Sequence, residues 1–236
     1  MPLQKSKGNM YPWVTHTHCH LGGECPHKCV YCYVDNPRFG RPARYQGELR
    51  LIEKEFSVKY GEGNTIFIEN CNDLFSAAVP RAFIKRIMAH CCLYPKNRYV
   101  FQTKNPSRYM EYQEEEWMFP DNIILGCTIE TNRNVCGISA APGPEERIYQ
   151  ISRLKGFAPI FITVEPVLDF DIDILASWID RIRPEFLNLG ADSKGHGLTE
   201  PTVEKIMQFT GKLREYGIEL REKHNLNRLI HSGSNI

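Results

Sequence analysis

Short apolar runs alternate with longer amphipathic stretches along this chain. Apolar or β-branched runs predict strands at Val14–Cys19, Thr65–Asn70, Arg98–Thr103, Asn122–Ile129, Pro159–Val164 and Phe186–Gly190. Several are continuous, such as Ile66-Phe67-Ile68 and Ile160-Phe161-Ile162-Thr163-Val164. Continuous runs suit strands covered on both faces, as in a parallel sheet. The intervening stretches carry helical spacing. Phe83, Ile84, Ile87, Met88 and Cys91 share one face behind Pro80, where a missing N–H costs little. Ile148, Ile151 and Leu154 repeat the pattern after Pro144. Ile172, Leu175, Ile179 and Ile182 do so after Asp171, a candidate N-cap. Val203, Ile206, Met207 and Leu213 follow Thr199 and Pro201, and Gly217 predicts the stop of that helix.

Strand-then-helix units at this rhythm imply parallel strands joined by right-handed crossovers. A closed eight-unit barrel needs roughly 250 residues. With 236 residues, six units and a long first loop, this α/β chain predicts an open, partial (βα)6 barrel of the TIM type. No linker or low-complexity tract divides it, so residues 1–236 read as a single domain. In such a barrel the loops at the C-terminal ends of the strands build the site.

Charge narrows the function only a little. The formal net charge is +1, so no global basic field argues for nucleic-acid binding. Met1 to Tyr11 is polar with no apolar targeting core, and no run of 18 apolar residues appears. These features predict a cytoplasmic protein with no membrane span. Cysteine says more. The nine cysteines stand at 19, 25, 29, 32, 71, 91, 92, 127 and 136, an odd number with three inside eight residues. That pattern points to metal ligation rather than a disulfide framework.

The three are in Cys25-Pro26-His27-Lys28-Cys29-Val30-Tyr31-Cys32, a C-x3-C-x2-C loop over residues 25–32 that follows the first strand. Three thiolates in one tight loop can each bind one iron of a cubane, and the fourth iron then stays open for chemistry. Two other readings stand beside this one. A structural zinc site would recruit His16, His18, His20 or His27 as fourth ligand, although zinc favours paired cysteine units far apart. An electron-transfer cluster would take a remote fourth cysteine.

The loop, with an aromatic residue just before its last cysteine, resembles the signature of the radical S-adenosylmethionine (SAM) superfamily. The resemblance implies a [4Fe–4S] cluster on Cys25, Cys29 and Cys32, whose open iron chelates SAM. It implies reductive cleavage of SAM to a 5′-deoxyadenosyl radical that abstracts hydrogen from substrate, and a flavodoxin or ferredoxin as electron donor. The cofactors carry this chemistry, while the protein orients them and excludes water. By the same resemblance Tyr31 packs near the adenine. Glu69, Asn70 or Asn72, at the end of the second strand, meets the SAM amino group, although the family's glycines are absent there. Thr103-Lys104 resembles the spore photoproduct lyase branch, where the lysine pairs with the SAM carboxylate. Thr128 and Glu130 resemble ribose-binding positions. Glu165-Pro166 and Gly190-Ala191-Asp192 resemble phage-associated proteins of that branch. Cys71 lies where spore photoproduct lyase holds a cysteine that returns hydrogen to the product radical, with the alignment open by one residue. The likeness covers nearly the whole chain and is most specific at the cysteine loop.

Two further groups are candidates from the residues alone. His16, His18 and His20 alternate and therefore share one face of the first strand, where they are candidates to line the pocket. Arg38, Arg41 and Arg44, interleaved with Phe39 and Tyr45, suit phosphate contacts and base stacking, or a solvated loop. The leading expectation is a radical SAM enzyme of lyase or oxidoreductase type that repairs or modifies a nucleic-acid base or nucleotide. Its rivals are the same chemistry on a peptide or small metabolite, and a non-catalytic Fe–S or zinc binding module.

Overall fold

The structure is a computed structural model that describes residues 3–8, 10–35, 42–113 and 119–231. Arg38, Phe39 and Arg41 lie outside the described residues. The strands in chain order are β1 (Gln4–Lys5), β2 (His16–His18), β3 (Leu21–Gly22), β4 (Arg50–Leu51), β5 (Thr65–Ile68), β6 (Arg98–Thr103), β7 (Ile123–Thr128), β8 (Ile160–Val164), β9 (Phe186–Leu189) and β10 (Leu220–Glu222). The α-helices are α1 (Arg81–Cys92), α2 (Ser107–Gln113), α3 (Pro144–Ser152), α4 (Ile172–Ile182), α5 (Val203–Glu215) and α6 (Asn227–His231). From β5 onward each strand is followed by a helix.

One sheet runs in the order β1-β2-β5-β6-β7-β8-β9-β10, with every neighbouring pair parallel except β1–β2. All six expected strands are present and pair in sequence order, so the α/β partial barrel stands. Two sheet strands escaped the sequence reading. β10 adds a seventh parallel strand, and β1 caps the opposite edge. Each has only two or three residues, Gln-Lys and Leu-Arg-Glu, too short and too charged to form an apolar run. The long first loop carries its own two-stranded ribbon, β3 against β4.

Register explains why apolar strands still make a polar site. On the outer face, Ile66, Ile68, Tyr99, Phe101, Ile123, Leu125, Ile160, Ile162, Leu187 and Leu189 join the large core against the helices. The alternate positions face inward. At the N-terminal end they are Phe67, Val100, Ile124, Phe161 and Phe186, which close the barrel floor together with Tyr11 and Val14. Further along, the inward position becomes Gln102, Thr163 or Asn188 after two residues and Thr128 after four. A further step reaches Lys104, Glu130 and Glu165. The inner face thus grades from aromatic floor to charged mouth. Gly126 sits on this face because a Cβ there would fall 2.2 Å from Phe161 Cζ.

Helix termini follow the sequence signals in part. Thr202 caps α5 by accepting from the Lys205 N–H at 3.3 Å, and Gly217, at φ 74°, ends it. Asp171 does precede α4, but its carboxylate is taken by Arg133 (2.6 Å) and Asn132 (3.0 Å) instead of capping the helix.

Candidate active site

A cavity of about 520 Å³ opens at the C-terminal ends of the strands. Cys25, Cys29 and Cys32 all contribute to its wall, and all three are free and partly exposed. The loop that carries them is pinned from outside. Val30 N–H donates to the Ile138 carbonyl at 3.0 Å, and Ala140 N–H donates to the His27 carbonyl at 2.7 Å. Within the loop, Cys32 N–H donates to the Cys29 carbonyl and Lys28 takes a left-handed backbone, φ 48°. Burial beside Asp73 pushes the Cys25 thiol up to about 12, and burial raises Cys32 as well. Thiols held this high lose their protons to a bound metal rather than to water.

Asp73, which the sequence reading passed over, anchors this loop to the sheet. Its Oδ2 lies 3.0 Å from His27 Nε2 and accepts the Lys104 N–H at 2.7 Å. Its Oδ1 accepts from the Thr103 hydroxyl at 2.7 Å and the Phe75 N–H at 3.0 Å. Burial opposes the charge, yet His27 and these donors hold the carboxyl down at about 2. An aspartate directly after a loop asparagine carries no signal of its own.

The SAM-site candidates divide. Tyr31, Asn70, Asn72, Lys104, Thr128 and Glu165 line the cavity. Lys104 Nζ lies 5.4 Å from the Tyr31 ring centroid. Burial works against its charge, but Cys29 and Glu130 outweigh it and hold the ammonium above its usual value. Asn72 Nδ2 donates to the Gly23 carbonyl at 3.1 Å, and its buried Oδ1 has no partner among the described residues. Thr128 Oγ1 accepts from Gln102 Nε2 at 2.7 Å. Glu165 accepts from Lys223 Nζ at 2.7 Å and Asn225 Nδ2 at 2.9 Å. Two candidates are turned away. Glu69 forms part of the wall, but its carboxylate is buried and taken by the backbone N–H groups of His20 and Leu21 and the His20 ring. Glu130 stands behind the cavity, its carboxylate shared by Arg147 at 2.6 Å and the Tyr31 hydroxyl.

The three histidines do share a face, but it is the outer one. His16 pairs with Ile66 and His18 with Ile68, so Thr17 and Cys19 take the inward positions. His18 and His20 pack under helix α1 instead of lining the cavity. His20 Nε2 lies 2.9 Å from His90 Nδ1 and 3.0 Å from the Tyr60 hydroxyl, and its Nδ1 lies 3.0 Å from Glu69 Oε1. These positions remove them as ligands to the cysteine loop, and His27 is committed to Asp73.

This cluster predicts acid sensitivity. Burial holds His18 at about 4, His20 at about 3 and His90 at about 4, while burial lifts Glu69 to about 7. As pH falls from about 6.5 to 4.5, the unfolded chain protonates three histidines that the fold keeps neutral, which favours unfolding. Glu69 acts oppositely, because the folded form already holds its proton. Three groups outweigh one, so urea midpoints should fall across this window. A flat profile would mean that the histidines are hydrated in solution.

The donor set also tests which metal group fits. Among the described residues, no three His, Cys, Asp or Glu side chains converge on one point to hold a single ion. A cubane asks for something different, since its three thiolates bind three separate irons. Three cavity-facing thiols beside an orphaned amide oxygen and a buried ammonium fit a cluster with a charged ligand better than a zinc ion.

Residues 13–180 match the model of a family described as "Protein of unknown function (DUF5131)". The chain belongs to that family. No curated protein matches this DUF5131 chain. Solved structures do. Spore photoproduct lyase with bound AdoMet and dinucleoside spore photoproduct superposes with a TM-score of 0.57 at 12% identity, covering 91% of this chain and 66% of that one. SuiB of Streptococcus suis bound to S-adenosylmethionine gives 0.58 at 9% identity, covering 92% and 52%. SuiB bound to its precursor peptide SuiA gives 0.59 at 9% identity, covering 92% and 51%. The DUF5131 chain therefore has the fold of radical SAM enzymes while spanning about two thirds of the first of these proteins and half of the second. Among the described residues, no helix is long and apolar enough to cross a membrane.

Proposed function

We propose that this DUF5131 chain is a radical SAM enzyme, with Cys25, Cys29 and Cys32 holding a [4Fe–4S] cluster and SAM occupying the adjoining cavity. The observation that carries this reading is the C-x3-C-x2-C loop standing in the wall of a large cavity at the barrel mouth. When bound, the cluster and SAM supply reductive cleavage and hydrogen abstraction from a C–H bond. The chain's own residues do the rest. Asn72 Oδ1 accepts from the SAM amino group, and Lys104 Nζ pairs with its carboxylate. Tyr31 flanks the adenine, and Thr128 and Glu165 offer acceptors across the cavity. Cys71, the remaining thiol in the cavity wall among the described residues, faces the substrate. A flavodoxin or ferredoxin supplies the electron in this reading.

A nucleic-acid base or nucleotide fits the rim, where the half-exposed Tyr33 offers a stacking face and Lys7 and Lys194 offer charge for phosphate. The peptide-bound SuiB neighbour makes a peptide the second reading.

The test is anaerobic. The protein is reconstituted with iron and sulfide, reduced and given SAM, and 5′-deoxyadenosine is assayed by chromatography. Its formation is the expected result. A cluster that never cleaves SAM, with or without added nucleotides and peptides, would leave a binding module. Lys104→Ala should retain the cluster and lose about tenfold or more in SAM affinity, as expected for one charged hydrogen bond. Equilibrium dialysis measures this, and unchanged affinity would remove Lys104 from the site.

A further inference from the structure

Cys19 and Cys71 meet where β2 and β5 end. The in-register pairing of these strands puts Cys19 on the inner face beside Glu69. At Glu69 the backbone turns left-handed, φ 61°, and the following residues fold back over the end of β2. There the two thiols are neighbours, each the first cause of the other's shift. Cys19 Sγ also donates to Asn70 Oδ1 at 3.2 Å, and the Tyr33 hydroxyl lies 3.6 Å from Cys71 Sγ. Tyr45 is a further neighbour of Cys71. Cys71 is partly exposed and in the cavity wall, while Cys19 is buried behind it.

We propose that Cys19 and Cys71 form a redox-active dithiol, with Cys71 as the attacking thiolate and Cys19 as its resolving partner. The pair exchanges with small disulfides that enter the cavity. The Cys71 thiolate attacks one sulfur of the disulfide, whose S–S bond breaks to release one thiolate. Cys19 gives its proton to that thiolate and attacks Cys71 Sγ, which expels the second half of the oxidant. The protein dithiol is oxidised by two electrons, and one external disulfide is reduced to two thiols. Excess thiol reverses both steps.

The surroundings sort the two roles. The nearness of Cys19 first, then of Tyr45 and Tyr33, outweighs burial and holds Cys71 down at about 6, whereas Cys19 is pushed up by its partner and by burial. A low, accessible thiol next to a buried second thiol is the arrangement that closes to a disulfide instead of over-oxidising. The inference stands on this placement and does not need the cluster. If the proposed function also holds, closing the disulfide withdraws Cys71 from the substrate, so thiol–disulfide poise switches the site.

The test uses the reconstituted protein without SAM, equilibrated anaerobically with oxidised glutathione, quenched in acid and alkylated. Fragment-level mass mapping then reads Cys19 and Cys71 separately from Cys25, Cys29 and Cys32, whether or not a cluster has loaded. Wild type should yield a Cys19–Cys71 linked peptide. Cys19→Ser should stop at a glutathione mixed disulfide on Cys71, and Cys71→Ser should leave Cys19 unmodified. The internal link should be lost completely in both variants. Cys71 that stays alkylatable in wild type under full oxidation, a mixed disulfide that never closes, or a link from Cys71 to any other cysteine would each overturn the proposal.

Discussion

Cys29→Ala is expected to lose the cluster and all 5′-deoxyadenosine formation while keeping the barrel folded. A cubane held by three protein thiolates has no spare ligand, and removing one leaves an edge of the cluster open to water and chelators. The fold does not depend on this side chain. Cys29 is partly exposed, and the loop keeps its backbone bonds to Ile138 and Ala140 and its His27–Asp73 contact. A substitution of this kind away from the core changes stability by about 0.5 kcal/mol or less. Cys136→Ala is the matched control, since Cys136 is exposed and absent from the cavity wall. Iron and acid-labile sulfide per chain measure the outcome, with circular dichroism as the check on folding. A full iron complement in Cys29→Ala would place the ligands elsewhere and sink the assignment of the whole loop.

The barrel was legible because five of its seven parallel strands, β5 to β9, carry two or more consecutive apolar residues. β8, Ile160–Val164, is the clearest case. β10 was not legible, because Leu-Arg-Glu shows neither an apolar run nor alternation, and only pairing with β9 makes it a strand. At the site, composition and spacing were enough to bring Cys25, Cys29 and Cys32 together, because three thiols within eight residues are close in any fold. The distant pairings were not legible. The shared face of His16, His18 and His20 followed from period two, but which face was buried depended on the register of β2 against β5. Cys19 entered the site through that same register. Glu69 and Glu130 both sit at strand ends, as ligands do. Yet Glu69 is spent on the backbone of His20 and Leu21, and Glu130 on an arginine in the next helix. Strand-end position puts a carboxylate near the mouth, while its partners decide whether it faces the cavity.

Arg147→Met should therefore cost more stability than any cavity-lining change, about 3–5 kcal/mol, the usual penalty for leaving half of a buried ion pair behind. The Arg147 guanidinium lies 2.6 Å from Glu130 Oε2, and both side chains are only 3% exposed. It also donates to the carbonyls of Thr128 at 2.9 Å and Pro142 at 2.6 Å, which ties α3 to the end of β7. Burial alone would raise the Glu130 carboxyl, but Arg147 first, then Lys104 and the Tyr31 hydroxyl, bring it below its usual value. Without Arg147, burial dominates, and Glu130 must take a proton or stay charged without its main partner. Urea denaturation at neutral pH measures the loss. The double variant Arg147→Met/Glu130→Leu should recover most of it, because two apolar groups leave no stranded charge, whereas independent sites would add. Tyr31→Phe should cost only about 1 kcal/mol, the net worth of one hydrogen bond. If Arg147→Met alone costs under about 1 kcal/mol, the pair is open to water and behaves as a surface bridge. Glu130 would then be free to turn toward the cavity, and its role beside the SAM ribose would return to consideration.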